Sequence, residues 1–236
     1  MTSTPITDDP GTAGTFGHLA GPRETRLITT TLPDGTPLRI AKTTVGPMDN
    51  NAYFLCAGQD ALLIDAAADA DHLLAVAREL GVRITDVLTT HRHDDHVQAL
   101  PAVLAATGAR HHASAPDAPA LPAAVDSTWC GTAESETLVP ASDAVAGLGL
   151  TVTLLRGHTP GGLAVSLPGH VFTGDSLFPG GVGKTDSAAD FARLLGDVTD
   201  RIFTLPDATA VHPGHGDDTT LGAERPHLEE WKARGW

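Results

Sequence analysis

The stretch "ITDVLTTHRHDDHVQAL", residues 84–100, constrains this chain more than any other. A buried-looking strand ends in Thr89 and Thr90 and passes straight into three histidines and two aspartates within six positions, His91 to His96. Loops that open at the carboxyl end of a sheet strand are where α/β proteins place their sites. In an extended loop, residues two apart project to the same side, so His91 and His93 can converge on one ion. Asp95 and His96 are neighbours at the start of a helix and diverge, which suits a second ion close by. Taken alone, the cluster also reads as a solvated loop tip; partners elsewhere in the chain decide.

Strands and helices alternate around it. "PLRIAKTTVG" and "NAYFLCAG" read as strands, the latter joined through Gly58-Gln59-Asp60 to "ALLIDAA" as in a hairpin. "DADHLLAVARELG" carries apolar residues at helical spacing and stops at Gly81. Asp94 to Thr107 reads as a further helix, blemished by Pro101 and stopped by Gly108. In the second half "LTVTLLRG", "LAVSLP" and "HVFTGD" read as strands and "SAADFARLLGDVTDRIF" as a helix. "TAVHPGHG" then reads as a strand and loop, and a last short helix starts near Gly222. The expected class is α/β, either two sheets with helices outside or one doubly wound sheet. Residues 1–25, rich in Thr, Gly, Pro and Asp, read as a mobile tail, part of which could pack as an edge strand. Residues 26–236 read as one domain, large enough for a core of its own.

Charge narrows the partners. Lys and Arg number 15 against 29 Asp and Glu, a net −14, and no basic stretch is present to track phosphates or an anionic membrane surface. The expected partner is a small molecule, with neither nucleic acid nor membrane. Neither Cys56 nor Cys130 belongs to a CxxC pair, and the N-terminus lacks a basic start followed by an apolar run. The expected location is the cytoplasm.

Three other places end strands as the first does. "LRGHTPGG" presents His158 in a glycine-rich turn, "VFTGDSLF" presents Asp175, and "VHPGHG" presents His215. Each is one ligand-type residue on a Gly/Pro-shaped loop after an apolar run. Five histidines and two aspartates are enough for two metal ions with room for water. A polar loop tip explains any one of these loops, but four in succession at strand ends would be a poor coincidence. "PGGVGKT" looks like the end of a phosphate-binding loop, yet Phe178 stands where such a loop needs glycine. His72, His111, His112, His170, His212 and His227 read as structural or solvated, and Asp94 has no ligand role.

The series HxHxDH, GHTPGG, TGD and PGHG resembles the metallo-β-lactamase superfamily of metal-dependent hydrolases, over roughly residues 38–225. In "FTGDSLFPGGVGKTD" and "PGHGDDTTLGAER" it is most similar to the short glyoxalase II-like hydrolases. The fold so implied is the αββα sandwich, two mixed sheets packed face to face with helices outside. The resemblance implies a first metal on His91, His93 and His158, and a second on Asp95, His96 and His215, with Asp175 bridging both. Zinc leads among the metals, and iron and manganese suit the same ligands. Asp65, which ends "LLIDAA", is expected to orient a ligand histidine from behind. Lys184 stands in a loop where the family usually carries arginine before Thr-Asp, and is expected to touch substrate.

Two divalent ions lower the pKa of a shared water from about 15.7 toward neutrality. A hydroxide held by Asp175 and aligned by Asp95 then attacks an acyl carbon. No dedicated acid stands ready for the leaving group, which suits a thiolate, whose thiol pKa is about 8.5. The reaction implied is hydrolysis of an anionic hydroxyacyl thioester to a 2-hydroxy acid and a thiol. Longer glyoxalase II enzymes grip glutathione with a C-terminal extension rich in basic and tyrosine residues; here Tyr53 is the single tyrosine. The runner-up is a persulfide dioxygenase with one iron on His91 or His93, His158 and Asp175. A lactonase or β-lactamase-type hydrolase is a weaker alternative.

Overall fold

The computed structural model describes residues 5–9, 14–19 and 21–235. In the first sheet eight strands lie side by side in chain order: β1 (Thr7–Asp8), β2 (Thr25–Thr31), β3 (Pro37–Val45), β4 (Asn50–Ala57), β5 (Asp60–Ile64), β6 (Arg83–Leu88), β7 (Arg110–Ser114) and β8 (Ser127–Trp129). Strands β2 to β5 form an antiparallel meander, and β5 to β8 run parallel. In the second sheet β9 (Ser135–Thr137), β10 (Thr151–Leu154), β11 (Leu163–Leu167) and β12 (His170–Gly174) are antiparallel neighbours. A small hairpin, β13 (Leu177–Phe178) and β14 (Gly181–Val182), precedes β15 (Ala210–Pro213), which pairs parallel with β12 and carries β16 (Thr219–Thr220) at the edge.

Three apolar clusters hold the layers together. Between the sheets lie Ile40, Tyr53, Leu55 and Ile64 from one side, with Val152, Val165 and Phe172 from the other. Helices α1 (Ala70–Leu80) and α2 (Leu100–Thr107) cover the outer face of the first sheet, packing Leu73, Val76, Leu100 and Val103 on Phe54, Leu63 and Val87. After the short α3 (Asp143–Ala146), helix α4 (Ala188–Asp197) lies on the outer face of the second sheet. With α5 (Leu221–Glu224) and α6 (Leu228–Arg234) it packs Phe191, Leu194, Leu221 and Trp231 on Ala164, Val171 and Val211. Successive strand residues point to opposite faces, and in β4 both faces are covered. That is why "AYFLCA", residues 52–57, carries no charged or amide side chain: Tyr53 and Leu55 enter one core, Phe54 and Cys56 the other. The result is the expected αββα sandwich, and the single doubly wound sheet is excluded.

Element boundaries follow local chemistry. Asp69 caps α1 by accepting the His72 N–H, and Gly81, at φ 68°, ends it. The helix expected from Asp94 to Thr107 is two pieces instead. A single 3₁₀ turn spans Asp94–His96, and α2 begins at Leu100, with Pro101 in its first turn, where a missing N–H costs nothing. Residues 1–25, read as a mobile tail part of which could pack as an edge strand, place one described stretch at the edge of the first sheet. Strand β1 pairs with β2, and Phe16 and Leu19 are buried in the intersheet core. Two apolar side chains in an otherwise polar run suffice to anchor it. Among the described residues no helix is long and apolar enough to cross a membrane.

Candidate metal centre

The loops that follow β6, β10, β12 and β15 meet at one edge of the sandwich and carry the seven expected ligands. Ligand nitrogens of His91, His93 and His158 all lie within 4.8 Å of one another, and so do ligand atoms of Asp95, His96 and His215. The rings of His93 and His158 are 4.5 Å apart and perpendicular, each also edge-on to His91. Asp95 and His96 do not diverge as expected. The tight 3₁₀ turn brings Asp95 Oδ2 to 3.5 Å from His96 Nε2, and His215 Nε2 stands 3.1 Å from the same nitrogen. Asp175 lies between the sets, with Oδ2 3.5 Å from His158 Nε2 and 3.4 Å from His215 Nε2, and Oδ1 3.4 Å from His96 Nε2.

Behind four of the five rings an oxygen fixes which nitrogen faces inward. Nδ1 of His158 donates to the Lys184 carbonyl at 2.6 Å, Nδ1 of His215 to the Met48 carbonyl at 2.8 Å, and Nδ1 of His96 to Asp65 at 2.8 Å. His91 Nδ1 pairs with the Thr90 hydroxyl at 3.0 Å. With Nδ1 so engaged, Nε2 is the nitrogen turned toward the centre. Asp65 thus orients a cluster histidine, and it does so from a left-handed backbone position, φ 57°, while also accepting the Thr90 N–H and hydroxyl. Lys184 enters through its backbone; its side chain is exposed at the rim.

Burial leaves a deficit that a cation would fill. His91 Nε2, His158 Nε2 and Asp175 Oδ1 are buried without a hydrogen-bond partner, three of the five such side-chain atoms among the described residues. Native interiors rarely tolerate unpaired buried polar atoms, so three converging ones mark a binding position for a positive ion. The electrostatics agree. Burial pushes the His91 pKa well below its ordinary value, aided by neighbouring His96. For His96 burial works the other way from Asp65 and Asp175, which prevail and raise its pKa to about 10. Asp175 is held far below the usual carboxylate range: burial opposes this, but the nearby rings of His215 and His96 prevail. The donor set of imidazoles and carboxylates fits zinc, iron or manganese.

Two glycines are required by the close approach of these loops. A Cβ on Gly214 would collide with Asp175 Oδ1 and come within 2.7 Å of His96 Cε1, and one on Gly183 would collide with the Asp175 carbonyl. This is the physical content of "PGHG" and of the Gly before Lys184. Other contributors carry no signal of their own in the sequence. Asn50, the first residue of β4, donates to Asp95 Oδ2 at 2.8 Å. Buried Asp117 accepts the Arg92 N–H and the Thr159 hydroxyl, tying the His91–His93 loop to the His158 loop. The centre opens at His93 and His158 into a cavity of about 280 Å³, walled by Arg92, Arg156, Arg193, Asp186 and Asp190.

Two packed mixed sheets with a His/Asp centre at one edge define a metal-binding αββα protein. Residues 45–215 match the metallo-beta-lactamase superfamily, and the chain belongs to that superfamily. It is 38% identical over 167 residues to a hydroxyacylglutathione hydrolase of Anaeromyxobacter dehalogenans and 37% identical over 171 residues to one of Fuscovulum blasticum. These matches cover 71% of this chain but 61% and 62% of those proteins, so it spans about three fifths of their length. Among solved structures, the di-iron-bound form of TTHA1623 is 33% identical, with TM-score 0.64 over 78% of this chain and 96% of that one. Membership implies divalent metal ions at the His/Asp clusters.

Proposed function

We propose that the chain is a dinuclear metal-dependent hydrolase that cleaves hydroxyacyl thioesters to a 2-hydroxy acid and a thiol. One observation carries this: Asp175 contacts both ligand sets, 3.5 Å from His158 Nε2 and 3.4 Å from His215 Nε2 through one oxygen. His91, His93 and His158 would hold one ion, Asp95, His96 and His215 the other, with Asp175 shared between them. Zinc is the first choice, with iron or manganese suited to the same donors. When bound, the ions supply an activated water at neutral pH and an electrophilic pull on a carbonyl oxygen.

The side chains supply the order. The oxygens behind His91, His96, His158 and His215 fix the tautomers before substrate arrives. Asp95, held by Asn50, orients the attacking water, and Asp175 keeps the two sets at a fixed separation. Lys184, exposed at the rim, meets an anionic substrate. A thiolate leaves without a dedicated acid because its thiol pKa is about 8.5, which favours thioesters over amides. The similarity to hydroxyacylglutathione hydrolases supports this substrate class. One-iron persulfide oxidation would leave Asp95, His96 and His215 without a task, although they converge within 4.8 Å.

Turnover of S-lactoylglutathione and of the lactoyl thioester of N-acetylcysteamine, before and after chelation, tests the proposal. Activity should vanish on stripping and return with added metal. Unchanged turnover in the stripped protein overturns it, and oxygen uptake with glutathione persulfide at one iron per chain would favour the dioxygenase.

A further inference from the structure

Lys42 lies in the middle of β3 and is one of the most deeply buried side chains of the protein, 1% exposed. Lysine is almost never fully buried without a specific partner. Here the ammonium donates to the Gly216 carbonyl at 2.7 Å and to Asp218 Oδ1 at 2.8 Å. Both acceptors belong to the turn that carries His215. The other oxygen of Asp218, itself fully buried, accepts His212 Nδ1 at 2.7 Å and the Phe16 N–H at 2.9 Å. His212 in turn receives His170 Nδ1 at 3.0 Å on its second nitrogen.

The same turn is tied to β4 at further points. The Pro213 carbonyl accepts the Tyr53 hydroxyl at 2.7 Å and Asn51 Nδ2 at 3.0 Å, and the Gly214 carbonyl accepts the Asn51 N–H at 2.7 Å. Asn51 Nδ2 also reaches the Gly216 carbonyl at 3.0 Å. So the carbonyls on both sides of His215 are gripped by β3 and β4, while the His215 ring is held from behind by Met48, in the turn that joins those two strands. Among the described residues Lys42 bonds to the turn of His215 and not to the loops of His91, His93 and His158. The latch therefore acts directly on one half of the centre, and the turn it holds touches the shared Asp175 loop through the Gly214 N–H on the Gly174 carbonyl.

We propose that Lys42 is a positioning residue for the half of the centre formed by Asp95, His96 and His215. Its ammonium clamps the turn directly at Gly216 and again through Asp218. The lysine stem spans the thickness of the strand, and the charge does two things that a neutral donor would not do together. It binds a main-chain carbonyl, and it neutralises a carboxylate that has no solvent. Removing the clamp frees the turn to move by the few tenths of an ångström that distinguish a tight metal site from a loose one, and leaves the three-histidine half as it was. This inference rests on the dinuclear reading above.

The test is zinc affinity at each site, measured by competition with a chromophoric chelator on the full-length protein and by metal content after dialysis. The single variant Lys42→Met leaves buried Asp218 with His212 and the Phe16 N–H but without its ammonium partner, a change large enough to threaten folding, so the double variant Lys42→Met/Asp218→Asn is compared with it. That pair keeps the volume and removes both charges. Wild type should hold two ions. The double variant should hold one with unchanged affinity and bind the other ten- to a hundredfold more weakly, the range seen when groups supporting ligands are lost. A core variant far from the turn, Val165→Ala, should lower the melting temperature without separating the two affinities. Two ions retained by the double variant at wild-type affinities, or an equal loss at both sites, overturns the role of Lys42. Wild type that holds a single ion overturns the dinuclear reading, and this inference with it.

Discussion

The three-histidine half of the centre and the half that contains Asp95, His96 and His215 are supported in different ways. In the first, the rings of His91 and His158 lean on a hydroxyl and a carbonyl, and their Nε2 atoms face the interior without partners. In the second, His96 leans on the carboxylate of Asp65, and His96 and His215 crowd Asp95 and Asp175 at 3.2 to 3.5 Å. Burial, aided by the neighbouring histidines, holds the His91 pKa well below its ordinary value, whereas the surrounding carboxylates outweigh burial and pull His96 and His215 toward the charged form. One half is preformed by sterics and neutral hydrogen bonds; the other depends on a charged surround that must itself be held in place.

Changes that strike the group shared by both halves should cost most. Asp175→Asn removes the charge that touches both sets, and we expect hydrolysis to fall about a thousandfold or more with loss of at least one ion, read by steady-state rates and metal analysis. Gly214→Ala forces a methyl group against Asp175 and His96. The fold should persist while the metal content drops, as circular dichroism and elemental analysis would show. Asp65→Asn keeps a residue that tolerates the left-handed backbone but weakens the support of His96. Metal affinity should fall roughly ten- to a hundredfold in the second half and less in the first, which Asp65 reaches only through the Thr90 hydroxyl behind His91, and an equal loss in both halves would erase the distinction drawn above.

The smallest effect concerns stability away from the ligands. Burial, then His212, lowers the His170 pKa from 6.5 to about 4. The unfolded imidazole takes up a proton near 6.5 and the folded one does not. The stability this site contributes is therefore present above pH 6.5 and lost as pH falls toward about 4, with a ceiling of roughly 3 kcal/mol. Urea melts across that window should show a shallower slope in His170→Asn than in wild type.

The centre was legible because its ligands sit on loops immediately after apolar strands, and the spacing of "HRHDDH" together with "GHTPGG", "TGD" and "PGHG" survives in one dimension. Its supports were not. Lys42 stands between Ala41 and Thr43 in β3, and nothing in that run marks it as buried; a turn more than a hundred residues later supplies Asp218, against which it is buried. Asn50 and Asp117 likewise act on loops 45 and 42 residues away. Strands β3 to β6, β10 to β12 and β15 and helix α1 follow from apolar runs and glycine stops, whereas β2, with its threonine-rich "TRLITTT", was not read as a strand. The short strands β7, β8 and β9 were not foreseen, because "RHHAS" and its successors carry little alternation and are fixed by pairing with neighbours. The 3₁₀ turn at Asp94–His96 was read as helix because a single turn leaves no periodicity to detect.

Adding metal back to stripped protein in steps, with ions per chain and thioester turnover followed in the same samples, bears most directly on the two-ion centre. We expect turnover of the lactoyl thioester to stay low while the first ion fills and to rise with the second, reaching its plateau at two ions per chain. Full turnover at one ion, or with none, would contradict a centre in which Asp175 joins two working halves.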